Sequence, residues 1–87
     1  MEKIEITVYG DTYPLKSPSP ELTKKAAGLV DSEMRLFAEV APSFEPAKLA
    51  VLSAVRLAEK QIELEGELAA LQQKIAGLNS LMDESLQ

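Results

Sequence analysis

Eighty-seven residues carrying a net charge of −5 make one domain at most, and the chain contains neither cysteine nor histidine. Those two absences remove disulfides, thiolate metal sites, the commonest general base and the usual pH switch, so catalysis is the least promising function class. Residues 1–58 hold 7 Lys/Arg against 8 Asp/Glu while residues 59–87 hold 2 against 6, an acidic tail that argues against nucleic acid as the ligand.

The charged opening, Met1 to Glu5, contains no apolar run of signal-peptide length. No later stretch approaches the ~20 apolar residues of a membrane span. The expectation is a soluble cytoplasmic protein without membrane contact and without a cofactor. Ile4-Glu5-Ile6-Thr7-Val8 alternates apolar and polar residues, the period of a half-buried strand. Gly10 and Asp11 supply a tight turn, and Pro14-Leu15-Lys16 returns antiparallel, giving a hairpin over 4–16. A hairpin alone is barely stable in water, so it must lie against helices or a larger sheet.

Ser19 and Pro20 predict the cap and first turn of a helix over 20–40, with Glu21 complementing the helix dipole. Leu22, Ala26, Leu29, Val30, Met34, Phe37 and Val40 form its expected inner stripe. Gly28, in mid-helix, suggests close packing or a kink. Pro42 stops this helix, Phe44 fills the corner, and Pro46 opens a second helix. From Ala47 to Ala58 that second helix is apolar on nearly every side, so one face covers its own head and the others need a second chain. Arg56 stands inside this apolar segment and must reach the rim or pair across an interface.

Beyond Glu59 the pattern narrows to a heptad seam. Leu57, Leu64, Leu68, Leu71, Ile75, Leu78 and Met82 occupy its a and d positions, with Gln61 a polar a. One helix cannot bury such a seam. The expected architecture is α+β and mostly α: a head over 1–58, comprising hairpin, first helix and the start of the long helix at 46–58, and a coiled-coil extension over 59–87. Lys24, Lys25, Arg35, Lys48 and Arg56 offer a basic surface to an acidic protein, the alternative being scattered solubilising charge.

Three segments together resemble the ZapA-type bacterial cell-division proteins, which bind the tubulin-like division GTPase FtsZ. They are Ile6-Thr7-Val8-Tyr9-Gly10-Asp11-Thr12-Tyr13, Leu29-Val30-Asp31-Ser32-Glu33-Met34-Arg35, and Lys48-Leu49-Ala50-Val51-Leu52-Ser53-Ala54-Val55. The likeness is to the short Gram-positive-type members and spans residues 4 to about 65. It implies a non-enzymatic protein that crosslinks FtsZ protofilaments and favours the midcell division ring, acting through linked weak sites. It also implies a head homodimer held by Leu49, Leu52, Val55 and Arg56, and possible tetramers through antiparallel coiled coils. Candidate FtsZ contacts are Asp11, Lys24, Arg35, Lys48 and Arg56. Some members carry an arginine after the turn glycine, where this chain has Asp11, and a polar residue of some relatives aligns with Arg56. The rival readings are a generic coiled-coil oligomerisation module and a prefoldin-like holdase.

Overall fold

A computed structural model describes residues 1–86, with side-chain surroundings through Glu84. Two strands, β1 (Glu2–Val8) and β2 (Asp11–Ser17), precede two helices, α1 (Pro20–Val40) and α2 (Pro46–Leu86). The chain divides into two compact units, Met1–Leu57 and Ala58–Gln87. The first holds the hairpin, α1 and the opening turns of α2. The described part of the second is helical throughout.

β1 and β2 pair antiparallel, with Val8 opposite Asp11, Ile6 opposite Tyr13, Ile4 opposite Leu15 and Glu5 opposite Pro14. The strands run two residues longer at the start and one longer at the end than alternation alone predicts. The loop is Tyr9-Gly10, with φ +49 and +85. Two successive positive φ values match the twist of a two-residue hairpin and favour it over wider loops. The turn therefore uses Tyr9 and Gly10, and Asp11 is already in the ladder. In such a hairpin the pairs flanking the loop exchange hydrogen bonds and the pairs between them do not. Pro14 falls at one of the latter, so its missing N–H lies on the outer edge and removes no bond from the ladder.

The same face of the hairpin presents Ile4, Ile6, Val8 and Leu15, all half-buried, and β1 lies against α1. Ser17, almost fully buried at the end of β2, shares a 2.6 Å hydrogen bond with the Thr23 hydroxyl, and its Oγ accepts the Ser19 N–H at 3.0 Å. Ser19 does hold the N-cap position of α1, but its own side chain makes no capping bond. Ser17 supplies an oxygen at this junction instead. Pro20 starts the helix, and Ala41 ends it with its N–H on the Phe37 carbonyl at 2.8 Å, just before Pro42.

The core of this unit is small. Among described residues its buried apolar side chains are Ala27 and Met34 of α1 and Leu49 of α2, surrounded by half-buried Val30, Phe37, Leu52 and Leu57. The expected inner stripe of α1 is therefore only partly inner. Val30, Met34 and Phe37 face the core, but Leu22, Ala26, Leu29 and Val40 are exposed, and Ala27 takes a place the stripe omitted. Two apolar faces adjoin on α1, and the hairpin covers one of them. Gly28 shows no close packing, since a Cβ added there meets nothing within 4 Å.

Candidate functional site

The hairpin turn is fastened to α1 through a carboxylate. Tyr9 takes a backbone conformation that costs a non-glycine residue energy, and its N–H points out of the ladder. Asp31, 22 residues further on, accepts that N–H at 2.7 Å through Oδ1. Its other oxygen accepts from Arg35 Nε at 2.9 Å, one helical turn along. The Arg35 guanidinium lies over the Tyr9 ring, 5.6 Å from its centroid. One carboxylate thus holds both the turn and the arginine that covers it. The Arg35 guanidinium, then the Tyr9 N–H, hold the Asp31 carboxyl below the usual carboxylate range, and Asp31 in turn raises Arg35.

Asp31 is 26% exposed and Arg35 61%, so the charge of the pair is presented at the surface while its geometry is fixed from behind. Such an arginine keeps further donors for an incoming acceptor. The i,i+4 spacing of Asp31 and Arg35 is legible in the sequence; their joint hold on Tyr9 depends on tertiary packing. Asp11, adjacent to the turn and exposed, places a carboxylate near the same tip.

A second polar pair joins α1 to α2. Arg56 Nε lies 3.4 Å from Glu33 Oε2. Glu33 and Asp31 leave α1 about 200° apart, as their spacing requires, so one meets the turn and the other meets α2. Glu33 was the member of this pair that residue types alone did not single out, because a carboxylate amid apolar neighbours carries no sign of its partner.

The remaining basic candidates do not gather at one place. Lys24 is exposed on α1, and Lys48 sits with its Nζ 5.4 Å from the Phe44 ring at the corner between the helices. A shallow apolar groove there is lined by Phe44, Ala47, Val51 and Leu52. Leu49, 1% exposed, is used within its own head, whereas Leu52 is half-buried and Val55 exposed. Ser53, fully buried, donates to the Leu49 carbonyl at 2.7 Å and so brings no unpaired polar group inside.

Within the second unit, Leu64, Leu68, Leu71, Ile75, Leu78 and Met82 are all about half exposed or more. An apolar row at this spacing is the kind that a coiled coil buries. No group of three His, Cys, Asp or Glu side chains among the described residues is placed to hold a metal ion, and no helix is long and apolar enough to cross a membrane.

A family model described as cell division protein ZapA matches residues 4–87. The chain belongs to the ZapA family. It is 31% identical over 74 residues to the ZapA of Geobacillus kaustophilus, covering 84% of this chain and 81% of that one. The ZapA of Geobacillus thermodenitrificans is 32% identical with the same coverage. Among solved structures, a ZapA mutant dimer from Geobacillus stearothermophilus superposes with a TM-score of 0.67 at 31% identity, covering 85% of this chain and 87% of that one. A conserved bacterial protein of unknown function from Pseudomonas aeruginosa shares the fold, with a TM-score of 0.61 at 18% identity. The ZapA family is one of cell-division proteins, and hairpin, first helix and long second helix are the arrangement this member has in common with its dimeric relative.

Proposed function

We propose that this ZapA-family chain binds FtsZ and crosslinks its protofilaments, promoting assembly of the cytoplasmic division ring at midcell. The observation that carries the reading is the exposed seam from Leu64 to Met82 in a chain of this family, because a seam that pairs chains also links their heads. Residues 1–58 then act as the dimerising head and 59–87 as the coiled-coil extension. The dimeric relative supports a homodimer, and a tetramer follows where two dimers join through their tails. Linked heads gain avidity through effective concentration, so each can bind weakly. No cofactor or catalytic step enters this mechanism.

Among the FtsZ-contact candidates, Arg35 has the strongest physical support: it is exposed, charged and already oriented by Asp31 and Tyr9. Asp11 follows the turn whose Tyr9 ring Arg35 covers, while Lys24 and Lys48 contribute charge from elsewhere on the head. Arg56 is committed to Glu33 and has less freedom to serve a partner.

Co-sedimentation with FtsZ from the same organism, with GTP at near-physiological salt, tests the proposal. The protein is expected to pellet only with polymer and to increase the polymer recovered. Arg35→Glu is expected to lower the bound fraction severalfold without changing the fold by circular dichroism. A wild-type protein left in the supernatant, with polymer unchanged, would favour the generic coiled-coil module; suppressed aggregation of unrelated proteins would favour a holdase.

A further inference from the structure

Gly28 weakens α1 and gains nothing for it inside the head. Its backbone is ordinary helix, and a Cβ added there meets no atom within 4 Å, so neither conformation nor packing calls for glycine. It is exposed in mid-helix, on the stripe that carries Lys24, Asp31 and Arg35. Steps of four, three and four residues keep these positions on one face of the helix. Lys24 and Arg35 stand about 16 Å apart along the axis, with Gly28 between them. A patch of bare main chain is thus flanked by two cations, one of them already held in place by Asp31 and Tyr9.

We propose that an acidic surface of the FtsZ polymer seats on this stripe. Its carboxylates meet Lys24 and Arg35, and its main chain crosses α1 at Gly28, where the missing side chain lets the two backbones approach closely. The inference rests on the FtsZ reading above and names the face of the head which that reading uses. Charge selects this occupant over a second copy of the chain. A two-fold contact covering the whole stripe is centred between positions 29 and 30, and it sets Lys24 of each copy against Arg35 of the other, cation against cation. An acidic partner meets both with opposite charge.

Asp31 engages Arg35 through Nε, which leaves the two terminal nitrogens for this contact. Glu21 and Glu39 stand one helical turn beyond Lys24 and Arg35 respectively, both exposed. Carboxylates at both ends repel an acidic partner that slides along the axis, so they fix its register over Gly28.

Co-sedimentation of the full chain with GTP-assembled FtsZ tests this, with light scattering for mass and urea denaturation for stability. Gly28→Ala is expected to raise the denaturation midpoint and yet to weaken polymer binding about threefold. Gly28→Gln, a larger residue well suited to a helix, is expected to weaken it about tenfold at unchanged mass. Lys24→Glu is expected to lower binding severalfold. Gly66→Ala makes the same helix-favouring change in the other unit, where an added Cβ also meets nothing within 4 Å, and is expected to bind as wild type does. Gly28→Gln and Lys24→Glu both binding as tightly as wild type would overturn the assignment of this face. Equal losses for Gly66→Ala and Gly28→Ala would trace the effect to helix stiffness, and a lower mass for Gly28→Gln would make the stripe a contact between copies; either overturns the proposal. Wild type that fails to pellet with polymer would instead overturn the FtsZ reading on which it rests.

Discussion

Gly10 holds φ +85 at the turn, while Gly28 is an ordinary exposed position inside α1, and neither has an atom within 4 Å of an added Cβ. Steric room is therefore equal and backbone conformation decides the outcome. Gly10→Ala forces an L-residue into left-handed space and is expected to destabilise the fold by about 1–2 kcal/mol. Gly28→Ala removes unfolded-state freedom and is expected to stabilise it by roughly 0.5–1 kcal/mol. Urea denaturation of the two variants at one protein concentration checks both signs.

Asp31 gives the residue scale its pH dependence. Its carboxyl is held below the ordinary range, so the stabilisation it supplies is present above the unfolded-state value and is lost as pH falls through the folded one. Asp31→Asn is expected to melt at a lower temperature than wild type at neutral pH, with the gap closing on acidification into the carboxylate range. A gap that stayed constant down to that range would mean that shape and neutral hydrogen bonding, rather than charge, hold the turn.

At the scale of elements, the boundaries were the legible part. Pro20, Pro42 and Pro46 act on the residues next to them, so helix starts and stops are local matters, and the helices at 20–40 and from 46 follow from them. The burial of α1 was less legible. Ala27, Val30, Met34 and Phe37 form one helical face and Leu22, Leu29, Leu36 and Val40 the next, and periodicity cannot say which of two adjoining apolar faces the chain itself will cover. The clamp of Asp31 on Tyr9 was hidden for a related reason: a backbone N–H has no residue type to read. In the tail, the seam predicts its own test. Leu71→Ala is expected to cost the assembled protein about 2–5 kcal/mol if that position is fully buried on association. Light scattering would then show a lower mass at matched concentration, and an unchanged mass would count against the seam as the contact.

For the whole molecule, binding and bridging are separable if linked heads are what aligns filaments. Leu71→Glu puts a charge into the seam and leaves the head sequence intact. The variant is expected to retain a measurable association with FtsZ polymer but to lose filament bundles in electron micrographs. Bundles of wild-type density from a variant shown to be monomeric would remove multivalency from the mechanism. The same view explains a head with so small a core. Much of the chain's apolar surface is exposed in the single chain, so on the proposed reading stability and assembly draw on the same side chains.

Pro14, on the outer edge of β2, bears on what the protein must not do. A protein with the proposed role of aligning polymers would be hazardous if its own sheet could extend from copy to copy, since sheet growth has no natural end. The middle of that edge offers no donor, and Thr12 and Lys16 on either side cannot make a continuous row of bonds across the gap. One imino acid interrupts the row of donors along this margin, and it does so without removing a bond from inside the hairpin.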